Sequence, residues 1–302
     1  MNNTPYPPPE TNVSNIQPSD TGGFIPKGRA VPFINGAKWI DQGFKLVAGQ
    51  LKIWLIIIAI FAVFDFVATL FIQTSPSLAT PISISMLLIE MLLFAGILCV
   101  AESQRQNGSA DLNLIGNGFV SRTGAIGGVL VIQVLIIIIA AIVAVIMLGT
   151  SSINHIEQLI YAFQSENYDL TNQAIAAIGP GKILLSFLVM FVIVIISQML
   201  CCFAIPLIVL ERQPFWKSLS QSFNGCLKNI LPGLVYFVCL FITLVIFGLI
   251  IGFIPMPEFL LSILASAFKI PVWYLSLYFA YLNIFTGLEE QRDVTAKSHK
   301  LF

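Results

Sequence analysis

Residues 51–73, LKIWLIIIAIFAVFDFVATLFIQ, form the stretch of sequence that decides the fold. The stretch contains no Pro or Gly, and its charged residues are Lys52 near its start and Asp65 in its interior. About 20 apolar residues in α-helical conformation cross the roughly 30 Å hydrocarbon core of a bilayer. The apolar run is continuous rather than alternating, and a segment in lipid must satisfy its own backbone hydrogen bonds. It therefore predicts a transmembrane helix rather than a strand.

Comparable apolar runs recur along the rest of the 302-residue chain. Hydrophobic residues make up 57% of the sequence and charged residues only 10%, whereas about a quarter of the residues of a soluble domain are charged. We therefore predict an all-α, polytopic membrane protein with a six-helix transmembrane domain over residues 33–286. The predicted spans are residues 51–73, 81–101, 124–149, 183–210, 230–253 and 258–286.

The segments outside these spans differ in composition. Residues 1–32 are rich in Pro, Asn, Ser and Thr, so we expect a disordered, Pro-rich cytoplasmic tail that lacks the apolar stretch of a cleaved signal peptide. Residues 287–302 are predicted to form a second cytoplasmic tail. The outer loop 150–182 has apolar residues at helical spacing, so short helices are expected that lie on the membrane surface or cap the bundle.

The distribution of basic residues predicts the orientation of the spans. With the N-terminus in the cytoplasm, every Lys and Arg except Lys182 and Lys269 lies on the cytoplasmic side. Cytoplasmic loops of membrane proteins carry the excess of Lys and Arg. Both termini are therefore expected in the cytoplasm.

Amphipathic helices are predicted at the cytoplasmic ends of the spans. The clearest covers residues 214–229, where Pro214 suits the first helical turn and apolar residues share one face. Similar patterns precede the first span and, more weakly, the third. Such helices lie in the membrane interface with their aromatic side chains at headgroup depth. The residues predicted to anchor them are Trp39, Phe44, Trp216 and Phe223.

A short pattern also recurs where the chain returns to the cytoplasm. A Phe-Ala pair is followed eight residues later by Glu102, Glu211 and Gly287 in turn. One interpretation is three hairpin units that arose by duplication. The other is chance, because Phe-Ala is a common pair in apolar sequence.

Three stretches resemble a known family: GRAVPFINGAKWIDQGFKL (residues 28–46), IPLIVLERQPFWKSLSQSFNGCLKNILPGLVYF (205–237) and SLYFAYLNIF (276–285). They are similar to a proteobacterial family of six-helix integral inner-membrane proteins with a domain of unknown function. The resemblance implies a location in the bacterial inner membrane and carries no activity or functional residue. The chain departs from the family pattern at Asn283, where an acidic residue often precedes the closing Ile-Phe.

Residues that carry out chemistry are scarce. The two histidines, His155 and His299, lie outside the predicted spans, and the five cysteines lack metal-ligand spacing. HExxH, Gly-rich phosphate-loop and GxSxG motifs are absent from the sequence. We therefore expect no enzymatic activity, no catalytic residues, no metal and no cofactor. The formal net charge of zero gives no indication of nucleic-acid binding.

Three ionisable residues lie inside predicted spans: Asp65 in the first, Glu90 in the second and Lys269 in the sixth. Such residues are costly in a bilayer and are usually paired or hydrated. At 1.5 Å per residue all three lie roughly 17–25 Å from the cytoplasmic boundary, so they are predicted to form one charge cluster. The cluster either couples the movement of a proton or cation or acts as a structural ion pair. In a third alternative, Lys269 extends to the outer surface.

Two prolines are predicted to interrupt the spans. Pro206 in the fourth span and Pro271 in the sixth each remove a backbone hydrogen bond from a helix. The second kink is expected beside Lys269, where freed carbonyl groups can bind water or an ion.

Two functional classes remain. The first expectation is a non-catalytic protein with an accessory or organising role in the cell envelope, in contact with the lipid bilayer and a membrane-protein partner. The alternative is a transporter of a small solute, ion or lipid that uses Asp65, Glu90 and Lys269. The amphipathic helices favour the first class, and the intramembrane charges and kinks favour the second.

Overall fold

The computed structural model describes residues 23–74, 79–120, 122–149, 152–165, 167–255 and 257–287. Over these residues the chain is helical and contains no β-strand. Six helical segments of the described residues are long and apolar enough to cross a membrane, which confirms the predicted all-α, multi-pass fold. The tail segments 1–22 and 288–302 lie outside the described residues.

The helices are α1 Asn35–Gly49, α2 Leu51–Thr74, α3 Ala79–Asn107, α4 Asn117–Val120, α5 Thr123–Leu148, α6 Ile153–Gln164, α7 Tyr168–Ile178, α8 Pro180–Cys201, α9 Ala204–Val209, α10 Phe215–Lys228, α11 Ile230–Gly252, α12 Glu258–Lys269 and α13 Ser276–Phe285. A 3-10 segment, Leu112–Gly116, precedes α4, and a π-helix, Ile270–Leu275, joins α12 to α13. The first, second, third and fifth spans are α2, α3, α5 and α11. The fourth span is α8 with α9, and the sixth is α12, the π-helix and α13.

The chain divides into two compact units, and each is described by itself. The second unit is residues 128–201, and the first unit is the remainder. In the second unit α6 packs against α7, and the side chain of Asn167 caps α7 by accepting a hydrogen bond from the Leu170 amide at 3.0 Å. Gly179 then has a positive φ of 97° and ends α7, and α8 begins at Pro180.

The first unit is closely packed at one end, which we call the connector end because α1, α4 and α10 lie there. In α3 every residue from Met91 to Ser103 is buried. The indole of Trp54 in α2 is fully buried and donates a hydrogen bond to the Gln104 side chain at 2.8 Å. The backbone amide of Ile25 donates to the carbonyl of Phe285 at 2.7 Å, so the segment that precedes α1 is tied to the end of α13.

The other end of the first unit is much more exposed, and we call it the open half. It consists of residues 63–74 of α2, residues 79–90 of α3 and all of α12. Among the described side chains of these segments, the buried ones are Ala68 and Ser266. Burial in α3 therefore begins abruptly after Glu90.

Both prolines coincide with departures from regular helix. The fourth span is interrupted at residues 202–203, between α8 and α9, because Pro206 lacks the N–H that would bond the carbonyl of Cys202. In the sixth span, Pro271 lies within the π-helix that directly follows Lys269. At the position of the kink predicted beside Lys269, the span therefore changes from α-helix to a short π-helix.

The amphipathic helices differ in part from the prediction. Trp39 is only 3% exposed and packs on the Tyr236 ring, with the ring centroids 6.0 Å apart, so it is not an anchor at headgroup depth. The reason is that α1 packs against α11 and the sixth span, which turns the Trp39 side of the helix inward. Phe44 is exposed, as an anchor requires. Among the described residues that precede the third span, the 3-10 segment and the four-residue α4 occur in place of a longer helix.

Helix α10 begins at Phe215, and Pro214 occupies its N-cap position rather than its first turn. Trp216 is 71% exposed and Phe223 is half-buried. The face that packs inward is mostly small or polar and consists of Ser218, Leu219, Gln221, Ser222 and Gly225. The aromatic residues near the start of α10 are therefore left for lipid contact, which suits an interfacial helix.

Candidate functional site

The three intramembrane charges meet in the first unit. Lys269 Nζ lies 3.2 Å from Asp65 Oδ2 and 2.9 Å from Glu90 Oε1, so one ammonium group bridges two carboxylates. The pairs join the sixth span to the first and the second. They can meet because each residue lies near the middle of a span of similar length, and helices rise by a fixed distance per residue.

Two hydroxyl groups complete the cluster. Ser266 Oγ donates to Asp65 Oδ2 at 3.3 Å, and the Tyr274 hydroxyl donates to Glu90 Oε1. Tyr274 was not predicted to belong to the site. The sequence could have indicated Tyr274, because it lies in an apolar span near a predicted charge and a buried Tyr hydroxyl usually has a hydrogen-bond partner.

Aromatic rings line the cluster on the side of the connector end. Lys269 Nζ lies 5.6 Å from the centroid of the Phe61 ring and 5.8 Å from that of the Tyr274 ring, within the range of cation–π attraction. Phe94 stacks on Tyr274 with the ring centroids 5.0 Å apart. The three rings are almost completely buried, so they close the cluster off from the connector end.

The cluster lies at the boundary between the packed and open halves of the first unit. The side chains of Lys269, Asp65 and Glu90 are 30%, 31% and 32% exposed. A purely structural ion pair gains most when it is fully enclosed and all its hydrogen bonds are made. Here each charged side chain retains an accessible surface.

The charges in the cluster do not balance. It holds one ammonium group and two carboxyl groups, so it carries one net negative charge when both carboxyls are ionised. An uncompensated charge in a bilayer is costly. A neutral cluster therefore needs one further positive charge, supplied by a proton on a carboxyl group or by a bound cation.

The π-helix that follows Lys269 is held from two directions. The Tyr236 hydroxyl in α11 donates to the carbonyl of Val272 at 3.2 Å and bonds Ser276 Oγ at 2.9 Å. On another side, Gly43 of α1 lies directly against the backbone of Pro271. Only a residue without a side chain fits there, so α1 and the π-helix are in close backbone contact.

A second polar group lies at the connector end. Glu102 is buried and pairs with Arg105, and it accepts hydrogen bonds from Tyr278 and Gln106, both at 2.5 Å. Arg105 and Gln106 follow Glu102 at helical spacing, so the sequence brings them together. Tyr278 comes from the sixth span. The network satisfies a buried carboxylate and ties the second span to the sixth.

The second glutamate of the recurring Phe-Ala pattern has a similar contact. The Tyr281 hydroxyl donates to Glu211, and burial raises the pKa of the Glu211 carboxyl above its usual value. At the third position of the pattern, Gly287 lies beside the Arg29 guanidinium instead. Asn283 accepts a hydrogen bond from the Asn35 side chain at 2.9 Å.

The remaining predicted residues lie apart from the charge cluster. Pro206 belongs to α9, and Trp216 and Phe223 belong to α10, at the connector end. Within the described part of the chain, no group of His, Cys, Asp and Glu side chains is arranged to hold a metal ion. Comparisons of the chain with protein-family models, curated proteins and solved structures found no match.

Proposed function

We propose that this multi-pass membrane protein is a non-catalytic transporter of a small solute or ion, and that Asp65, Glu90 and Lys269 form its coupling site. The observation that supports the proposal is the position of the cluster. It is closed by aromatic rings on one side, partly exposed on the other, and one positive charge short of neutrality.

The proposed mechanism follows from this asymmetry. A cation or proton that enters from the open half neutralises the cluster and is bound between the first, second and sixth spans. Release on the other side requires the Phe61, Phe94 and Tyr274 rings to separate. Discontinuous helices at mid-membrane sites are common in transporters, and the π-helix beside Lys269 is the element that can change its hydrogen bonding.

Flux measurements in liposomes test this function. The purified protein is reconstituted and a negative inside potential is imposed. Proton entry is followed with an entrapped pH dye, and cation entry is followed with radiolabelled Na⁺ or methylammonium. We expect flux that protein-free liposomes lack and that Asp65→Asn and Glu90→Gln abolish. The matched control is Glu157→Gln, which removes an exposed carboxylate of α6 and should leave the flux unchanged.

Two outcomes contradict the proposal. One is the absence of any protein-dependent flux, and the other is flux that survives in both cluster variants. Either outcome favours the structural interpretation of the cluster, in which the ion pairs only hold the three spans together.

A second candidate is an accessory or organising role in the cell envelope. It is favoured by the exposed Trp216 and Leu227 on α10, which give the connector end an apolar surface beside the basic Lys217 and Lys228. Cross-linking in native membranes tests it. Recovery of one reproducible protein partner that is lost in Trp216→Ala supports this role, and a pattern unchanged by that substitution contradicts it.

We also propose a cellular location for the protein and an orientation for its spans. We place the protein in the bacterial inner membrane with both termini in the cytoplasm, on the basis of the basic residues and the family resemblance. A reporter that is active only in the cytoplasm, fused after residue 302, is expected to be active. An active periplasmic reporter at the same position would contradict this orientation.

A further inference from the structure

We propose that Asp65, Glu90, Phe61 and Tyr274 form a binding site for an ammonium group, which the side chain of Lys269 occupies in this structure. On this basis the solute is a small organic ammonium ion that competes with Lys269 for the two carboxylates. The identity of the solute rests on the proposed transport function, whereas the binding site itself does not.

The contacts of Lys269 Nζ are those by which proteins recognise ammonium groups. Two carboxylate oxygens lie at 3.2 and 2.9 Å, within hydrogen-bond distance of its three N–H groups. The Phe61 and Tyr274 rings lie 5.6 and 5.8 Å from the same atom. Carboxylates combined with ring faces favour an organic cation, because ring faces attract ammonium groups but supply no oxygen ligand to a hard metal ion.

The net charge of the site favours the binding of a second cation. With both carboxyls ionised, the single ammonium of Lys269 neutralises only one of them. A further ammonium ion that approaches from the open half meets a partly exposed Glu90 and Asp65. It gains an ion pair there before it displaces Lys269.

Displacement of Lys269 is also compatible with its surroundings. Its ammonium is carried on a flexible four-carbon stem, and its side chain is 30% exposed rather than enclosed. Ser266 and Tyr274 stay bonded to the carboxylates from elsewhere in the same span. The carboxylates therefore keep hydrogen-bond donors when the ammonium of Lys269 moves away, which reduces the penalty for exchanging one ammonium for another.

Removal of the lysine side chain gives a direct test. Lys269→Ala deletes three methylene groups and the ammonium, and n-propylammonium has the same number of carbon and nitrogen atoms in the same order. We expect this variant to unfold at a lower temperature in detergent than the wild type. Added n-propylammonium chloride should restore much of the loss with a saturating dose dependence. An equal concentration of KCl, which matches the ionic strength, should not restore the unfolding temperature. Nor should 1-propanol, which matches the shape of n-propylammonium but has no charge.

Two further measurements make the result decisive. Rescue should disappear in Lys269→Ala combined with Asp65→Asn and Glu90→Gln, because neutral amide groups then replace both carboxylates. In the wild type, methylammonium chloride should raise the unfolding temperature relative to KCl, and Glu90→Gln should remove that difference. The wild-type measurement remains informative if Lys269→Ala does not fold.

The outcomes separate the site from the transport function. The ammonium site is overturned if n-propylammonium acts no better than KCl on Lys269→Ala, or, where that variant does not fold, if methylammonium acts no better than KCl on the wild type. Ammonium binding without any flux in liposomes would support the site and contradict the transport proposal. Proton flux without ammonium binding would support transport and overturn the ammonium site.

Discussion

The contact between α1 and the π-helix predicts that Gly43→Ala destabilises the protein. A Cβ atom added at Gly43 would lie 3.1 Å from the carbonyl carbon of Pro271, 3.4 Å from Leu275 Cβ, and closer than 3 Å to the Pro271 oxygen. Packed atoms do not approach this closely without strain. Either α1 or the π-helix must therefore move, by about 1 Å.

Two opposing effects set the size of the change. Alanine is favoured over glycine inside a helix by about 1 kcal/mol, whereas overpacking a closely packed contact costs about 1–3 kcal/mol. The obstacle at Gly43 is backbone of Pro271 rather than the end of a flexible side chain, so the upper part of that range applies. We expect a net loss of about 1–2 kcal/mol, which corresponds to an unfolding temperature lower by several degrees.

Thermal unfolding in detergent, followed by Trp fluorescence, measures the effect. Gly248→Ala in α11 is the matched control, because it has the same chemistry inside a span but no atom within 4 Å of the added Cβ. The control should unfold at the wild-type temperature or slightly above it. An unfolding temperature of Gly43→Ala equal to that of Gly248→Ala would refute the proposed contact between α1 and the π-helix.

Two further predictions concern the polar groups of the connector end. Because burial raises the pKa of Glu211 in the folded protein, the folded state binds the proton more tightly than the unfolded state, and stability falls as pH rises from the ordinary Glu value toward the raised one. Glu211→Gln should flatten this part of a plot of unfolding temperature against pH, and an unchanged slope in this variant would contradict the prediction. Tyr278→Phe removes a donor to the buried Glu102 and should destabilise the protein by about 1.5–3 kcal/mol in chemical or thermal unfolding, whereas Tyr168→Phe, at an exposed position, should have no measurable effect.

The spans and the charge cluster follow from the sequence because they depend on one-dimensional quantities. Apolar length determines which segments cross the membrane, and the fixed rise per residue gives Asp65, Glu90 and Lys269 similar depths. Depth and orientation reduce the number of positions at which a charge can find a partner in lipid. Opposite charges at the same depth then pair, since the alternative is an isolated ion in hydrocarbon.

The rotation of each helix about its own axis could not be predicted from the sequence by the same reasoning. In water, an apolar face points to the protein interior, but at a membrane interface both lipid and protein accept apolar side chains. The pattern around Trp39 therefore fits lipid or protein equally well, and only the contact with Tyr236 decides between them. The inward face of α10 is set by its small residues Ser218, Ser222 and Gly225, which allow close approach.

The π-helix explains how one span supplies two groups to the same carboxylate. Lys269 Nζ and the Tyr274 hydroxyl both bond Glu90 Oε1, although the two residues are five positions apart. In a regular α-helix with 3.6 residues per turn, such residues point about 140° away from each other. The wider turn of a π-helix, with its bond between residues i and i+5, brings positions 269 and 274 close to the same face. If the span between them returned to regular α-helix, Tyr274 would turn away from Glu90 while Lys269 stayed in place. The segment that Gly43 and Tyr236 hold is therefore the one whose change of hydrogen bonding alters the contacts of the charge cluster, and this connects α1 with the site.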